Sequence, residues 1–176
     1  MLKKLFIVIL GIICIAMVKP VKKASANLSK FITIETTKGK VVIKTLPEIA
    51  PNHVKRIKEL VKQKFYDGII FHRVIEGFMA QTGDPDGNGT GGSGKNLKAE
   101  FSDYQYKYGT VGMARSMNPD SGDSQFFICF DGCNHLTGQY TVWGQVVSGM
   151  EAVENLAVGE PPSNPDKMIS VKLGKK

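Results

Sequence analysis

From Phe31 the chain alternates: Phe31, Thr33 and Glu35 fall on one side, Ile32, Ile34 and Thr36 on the other. A period of two is the mark of a half-buried strand. Thr37-Lys38-Gly39 supplies a turn, and a β-rich run through Val41, Val42, Ile43 and Leu46 follows until Pro47 closes it. The period then changes. Pro51 suits the first turn of a helix, and Val54, Ile57, Leu60 and Val61 recur at helical spacing. Lys55, Lys58 and Lys62 fall off that face and read as a solvated flank.

Phe65-Tyr66-Asp67-Gly68 ends the helix, and the apolar, β-branched run Ile69 to Ile75 predicts a strand. On it Arg73 shares a face with Phe71 and Ile75, and His72 shares the other with Ile70 and Val74. Further strands are predicted at Thr110–Ala114, Ser124–Phe130, Tyr140–Val147 and Ile169–Leu173, with a turn at Asn118–Gly122. Met150 to Leu156 reads as a short helix, and Pro161, Pro162 and Pro165 mark a loop. Many short strands with only two helices imply an antiparallel barrel or sandwich.

Composition adds bounds. A chain of 176 residues, 42% hydrophobic and 22% charged, suits one well-cored domain. The formal charge of +7 is concentrated at the start: Lys3, Lys4, Lys19, Lys22 and Lys23 have no acid among them, and the remainder is close to neutral. With only three arginines, Arg56, Arg73 and Arg115, and no basic patch, nucleic acid is excluded as a partner. Lys3-Lys4, the apolar run Leu5 to Val18 and Ala24-Ser25-Ala26 form the three parts of an export signal. The expected organisation is therefore a signal over 1–26 cleaved after Ala26, a short linker over 27–30 and one domain over 31–176. Lys19, Lys22 and Lys23 are unusual in such a place, so an uncleaved membrane anchor is the competing reading. The expected destination is the periplasm or cell envelope, or secretion. Cys129 and Cys133 are expected as free or buried thiols, because a bridge between them closes a small ring. No cysteine or histidine spacing suits zinc, and no metal site is expected.

The candidate chemistry lies in Phe71 to Asp84. Arg73 stands a few residues from Phe78, Met79 and Gln81. An arginine is a poor proton shuttle, but it can aim a fork of donors at an electron-rich group held on an apolar wall. His72, flanked by aliphatics, reads as a hydrogen-bonded core residue. The glycine-rich stretch Asp84 to Asn96 holds three decoys. Gly87-x-Gly89-x-x-Gly92 has no helix after it, Gly89-x4-Gly94-Lys95 meets Asn96 where Ser or Thr is needed, and the calcium-like Asp84, Asp86, Asn88 series reaches Lys95 at position twelve. A long surface loop is the better reading.

Phe71-His72-Arg73-Val74-Ile75, Gly77-Phe78-Met79-Ala80-Gln81-Thr82-Gly83-Asp84, Asn88-Gly89-Thr90-Gly91-Gly92, Gly112-Met113-Ala114 and Ser124-Gln125-Phe126-Phe127-Ile128 together resemble the cyclophilins, which are peptidyl-prolyl cis/trans isomerases. The resemblance runs from Phe31 to about Leu173. It implies a mainly β fold, a closed eight-stranded antiparallel β-barrel capped by two α-helices, with the substrate groove along its outside. It matches Arg73 to the catalytic arginine, Phe78, Met79, Phe127 and Leu136 to the proline pocket, and Gln81 and Gln125 to the groove's polar side. Ala114, Arg115 and Ser116 match the segment whose backbone pairs with substrate, and Gly89 the groove's rim. His135 replaces a groove tryptophan of many eukaryotic relatives and Tyr140 a groove histidine, so cyclosporin binding is expected to be weak. The implied partners are X-Pro-containing polypeptides, with no cofactor and a monomeric enzyme. Each residue also has a structural reading: Phe78, Met79 and Phe127 as plain core, Arg73 in a salt bridge to Glu76 or Asp84, Gln125 as a strand-end partner. The competing function is a non-catalytic binder or holdase for proline peptides.

Overall fold

The alternation at the start of the domain becomes β1 (Phe31–Thr36), with Ile32 and Ile34 buried and Phe31 and Thr33 half-buried. The Thr37-Lys38 turn leads into β2 (Gly39–Thr45), paired in register from Phe31↔Lys44 to Thr36↔Gly39. Then follow α1 (Pro51–Lys62), β3 (Arg73–Ile75), β4 (Met79–Thr82), β5 (Thr110–Met113), β6 (Phe126–Cys129), β7 (Val142–Ser148), α2 (Met150–Glu154) and β8 (Met168–Gly174). This computed structural model describes residues 29–174, so the signal and the first half of the linker lie outside the described residues.

The eight strands form one antiparallel sheet in the order β3-β4-β6-β5-β7-β2-β1-β8. The sheet is not the expected closed barrel. The edge strands β3 and β8 share no ladder; along that seam lie the isolated bridges Ile70↔Lys167 and Val74↔Gly159, with single backbone bonds such as Met168 N–H to Ile69 O and Phe71 N–H to Asp166 O. The cause is local. Ile69 to His72 do not join the strand predicted there, which leaves β3 three residues long. Phe71 therefore does not share Arg73's half-exposed face but is fully buried.

Strand alternation gives the sheet two apolar faces. Val74, Ala80, Val111, Met113, Phe126, Ile128 and Trp143 point into the main core, closed by α1 through Val54, Ile57, Leu60 and Val61. Met79, Phe127, Cys129 and Val142 point the other way, into a second cluster with Leu46, Tyr106, Cys133 and Leu136. α1 lies against β7 and β8, and α2 against β2. Lys58 departs from expectation: it is buried on α1 rather than solvated. Burial, with Lys62 adding repulsion, pulls its pKa down.

Two long-range features have no counterpart in the pattern. Cys129 and Cys133, expected as free thiols, form a disulfide. A 3-10 turn, Asp131–Leu136, folds the chain back after β6 and brings their Cα atoms to 6.0 Å, inside the range a disulfide spans. The other is at the start of α1, where Ala50 offers no side-chain cap. Glu100, far along the chain, takes that role. Its carboxylate accepts from Asn52 N–H (3.1 Å), Asn52 Nδ2 (2.9 Å) and His53 N–H (3.0 Å), and bonds His53 Nδ1 (2.6 Å). These are the orphan donors of a helix N-terminus, where a negative charge is also favoured. Burial alone raises the Glu100 pKa, but the bonds from His53 and Asn52 outweigh it and leave the net value lowered.

A carboxyl whose folded pKa is depressed stabilises the fold above its unfolded pKa and loses that contribution as pH falls through the folded value. Glu100→Ala should cost about 1–2 kcal/mol at neutral pH, as for loss of a helix cap. The gap from wild type should shrink once the pH drops below roughly 4, where a free glutamate begins to protonate. Denaturant titrations across pH measure both; equal midpoints at pH 7 would remove Glu100 from this role.

Candidate active site

Cross-strand pairing sets Arg73 opposite Gln81, Gln81 opposite Phe127, and Phe127 opposite Gly112. These four stand in one transverse row over β3, β4, β6 and β5, on the face away from the main core. Met79 and Ile75, two residues along β4 and β3, share that face. Gly112 has to be small. A Cβ there would lie 2.5 Å from Phe127 Cζ and against the Tyr106 hydroxyl, so the missing side chain lets the Phe127 ring lie on the strand. Tyr106 stacks on that ring from below (5.9 Å, 17°), and Tyr140 meets it edge-on (5.8 Å, 84°).

The row opens into a cavity of about 140 Å³ lined by Arg73, Phe78, Met79, Gln81, Ala114, Arg115, Phe127, Leu136 and Tyr140. Met79, Phe127 and Leu136 are buried, so they are at once core and cavity wall. A larger hollow of about 470 Å³ adjoins it across Gln81, Ala114 and Arg115 and runs along Gly89–Gly92, Ser116, Ser121, Asp123 and Gln125. A third, of about 380 Å³, lies on the other side of Arg73 against His72, Asn88, Glu160 and Pro161.

The polar side is ordered by a relay. Gln81 Nε2 donates to Gln125 Oε1 (2.9 Å), and Gln125 Nε2 donates to the carbonyls of Gly89 (3.0 Å) and Gly91 (2.8 Å). Gln125 thus ties the glycine loop to the row. That loop is folded around Asp84, whose carboxylate accepts from the N–H groups of Asp86 (2.8 Å), Asn88 (3.1 Å) and Gly89 (2.5 Å). Burial opposes ionisation of Asp84, but the backbone bonds from Asp86, Gly89, Gly91 and Asn88 prevail and lower its pKa. The Asp84 carboxylate, first of the calcium-like series, is therefore occupied in building the loop.

Arg115 closes the rim. Its guanidinium lies 4.4 Å over the Tyr140 ring and donates to the carbonyls of Gln139 (3.2 and 3.0 Å) and Ser116 (2.9 Å). Around it, Ala114 N–H donates to Gln125 O (2.9 Å) and Ser116 N–H to Ser121 Oγ (2.9 Å). Among the described residues the Ala114 carbonyl and the Arg115 N–H and carbonyl are the main-chain groups of the segment left without a hydrogen-bond partner.

Neither Glu76 nor Asp84 pairs with Arg73. Its Nε donates instead to Glu160 Oε2 at 2.6 Å. His72 is core, as expected, but not hydrogen-bonded: it is 5% exposed and both ring nitrogens lack a partner. Desolvation lowers its pKa, with Asp84 opposing and Arg73 assisting, so the ring stays neutral. His135 is the one expected site residue outside both groove hollows; it is exposed and stacks on Phe78 (5.5 Å, 26°). Glu160 and Asp123 were missed. Glu160 sits in a proline-rich loop with no period to place it, and only the fold brings it to Arg73.

The family model for "Cyclophilin type peptidyl-prolyl cis-trans isomerase/CLD" matches residues 31–173. A probable peptidyl-prolyl cis-trans isomerase of Brucella abortus is 46% identical over 167 residues, covering 85% of each chain. Peptidyl-prolyl cis-trans isomerase B of Bacillus subtilis is 42% identical over 124 residues, 69% of this chain and 86% of that one. Among solved structures, the cyclophilin AquaCyp293 of Hirschia baltica superposes with a TM-score of 0.76 at 30% identity, over 84% of this chain and 74% of that one. A Cryptosporidium parvum cyclophilin-type isomerase, solved in the presence of the dipeptide Ala-Pro, superposes with a TM-score of 0.78 at 27% identity, over 83% and 99%.

Gly112→Ala forces the Phe127 ring off its strand, an overpacking change worth about 1–3 kcal/mol of stability. Urea unfolding measures it. A midpoint equal to that of wild type would mean the row tolerates a Cβ there and that close packing does not fix the ring.

Proposed function

The chain belongs to the cyclophilin-type peptidyl-prolyl cis-trans isomerase family, and from that premise we propose that Arg73 supplies the catalytic hydrogen bond to a proline seated in the 140 Å³ cavity. The reaction itself, rotation about X-Pro bonds, follows from the family and its relatives. The barrier is amide resonance: about 18–20 kcal/mol for an ordinary peptide bond, somewhat less before proline, where uncatalysed turnover takes tens to hundreds of seconds. Twisting the bond breaks the resonance and makes the prolyl nitrogen pyramidal and basic. A donor aimed at that nitrogen favours the twisted state over either planar one, which is the requirement for catalysis.

Phe78, Met79, Phe127 and Leu136 hold the ring while the bond turns. The Arg115 N–H and carbonyl pair with the chain before proline, and Gln81, oriented by Gln125, steadies the carbonyl that swings. Gly89 and Ser116 border the larger hollow, which receives the residues flanking the X-Pro bond. No step needs a nucleophile, metal or redox group. With His135 at the rim and Tyr140 under Arg115, a cyclosporin-like ligand lacks two groove partners and binds weakly. Lys3-Lys4, the run Leu5 to Val18 and Ala24-Ser25-Ala26 support export, with cleavage after Ala26 and action on exported polypeptides in the periplasm or cell envelope.

One observation carries the reading: a guanidinium at the mouth of an apolar cavity of ring size, held by strand pairing. One charge-assisted hydrogen bond is worth about 1.5–3 kcal/mol, so Arg73→Ala should lower kcat/KM by roughly one to two powers of ten. Phe127→Ala should also lower it, by opening the ring pocket. A proline-isomer assay measures both. An Arg73→Ala enzyme as fast as wild type would point to a cavity that binds proline without the arginine doing chemistry.

A further inference from the structure

After α2 the chain returns to β8 through a proline-rich loop, and at Gly159 that loop touches the sheet's edge. Val74 N–H donates to Gly159 O and Gly159 N–H to Val74 O, both at 2.9 Å, one residue beyond Arg73. Gly159 has φ +151°, and a Cβ there would lie 2.6 Å from Pro162 Cα, so the turn demands glycine. Ala157 N–H donates to Asp166 Oδ2 (2.8 Å), which ties the base of the same loop. Glu160 is thus delivered beside Arg73 by an anchored main chain, and its Oε2 accepts a hydrogen bond from Arg73 Nε at 2.6 Å. Among the described residues neither side chain has another charged partner.

The side chains of the pair are 38% and 52% exposed, a setting in which an ion pair adds little to folding stability. Its effect falls on the guanidinium. Arg73 forms the ridge between the ring-sized cavity and the hollow that contains Glu160. With Nε held from the Glu160 side, Nη1 and Nη2 have no hydrogen-bond partner among the described residues, and Arg73 lines the cavity. A lone arginine side chain has many rotamers and loses that freedom on each encounter with substrate. The carboxylate also drains some charge from the donor, but an arginine keeps its protons, so the gain in orientation prevails.

We propose that Glu160 is a positioning residue for the isomerase reaction, holding Arg73 so that its terminal nitrogens meet the prolyl nitrogen; this rests on Arg73 being the catalytic donor. Removing the carboxylate raises the cost of reaching the twisted state without weakening capture of the proline ring, so the loss appears in kcat rather than KM. The pair is exposed, so salt screens it.

The test is a double-mutant cycle on an X-Pro peptide with no charged residues, using wild type, Glu160→Gln, Glu160→Asp, Arg73→Ala and the Arg73→Ala/Glu160→Gln pair. Glu160→Gln should lower kcat by about 3–10-fold with KM nearly unchanged, Glu160→Asp should recover part of it, and Glu160→Gln should change nothing once Arg73 is gone. Wild type in molar salt should fall toward the Glu160→Gln rate, which itself should not respond. Melting temperatures should agree across the set. A Glu160→Gln enzyme at or above the wild-type rate overturns the proposal, as does an equal loss in the Arg73→Ala background. Arg73→Ala at the wild-type rate is a different failure: it removes the catalytic reading, and the positioning role with it.

Discussion

The ladders through β3, β4, β6 and β5 place Arg73, Gln81, Phe127 and Gly112 in one line, and everything the groove does depends on that line. Side chains on a strand change face at every residue, so a slip of one register would turn Phe127 inward and present Phe126 or Ile128 to the groove. The main core prevents it. Val74, Ala80, Phe126 and Ile128 occupy the inner face of the same strands, and a one-residue slip would turn them out of the core. Register is thus specified on one side of the sheet and used on the other.

The outer face is a second small core left partly open. Met79, Phe127 and Leu136 are packed by Tyr106, Val142 and the disulfide-linked turn at Cys133, so the cavity wall is as fixed as an interior. The polar edge is fixed by different means, a chain of amide hydrogen bonds from Gln81 through Gln125 to the glycine loop, which itself folds about the Asp84 carboxylate. An apolar wall that does not relax and polar groups already aimed are what a rotation needs. The catalyst must hold one end still while the other turns.

Much of this was legible in the sequence because it is local or periodic. The alternation from Phe31, the helical spacing Val54 to Val61 and the dense motifs around Arg73 and Phe127 place the strands, α1 and the apolar wall. What escaped depends on contacts distant in the chain. Glu100 caps α1 across nearly fifty residues, and Glu160 reaches Arg73 across the sheet's seam. The Cys129–Cys133 bridge depends on a 3-10 turn that no apolar pattern announces. The barrel's expected closure failed for a related reason. Ile69 to His72 look like strand by composition, yet they meet the start of β8 and the residues before it through one isolated bridge and a few scattered backbone bonds rather than a ladder, and β3 begins at Arg73.

The central claim is that Arg73 acts on the twisted bond and not on the bound ground state. The most direct measurement is two-dimensional exchange NMR of a proline peptide at saturating enzyme, which gives the on-enzyme cis/trans rate and the dissociation constant separately. With Arg73→Ala this account predicts an on-enzyme rate lower by roughly one to two powers of ten and a nearly unchanged dissociation constant. An unchanged on-enzyme rate with weakened binding would contradict it, and would make Arg73 a binding residue of the groove.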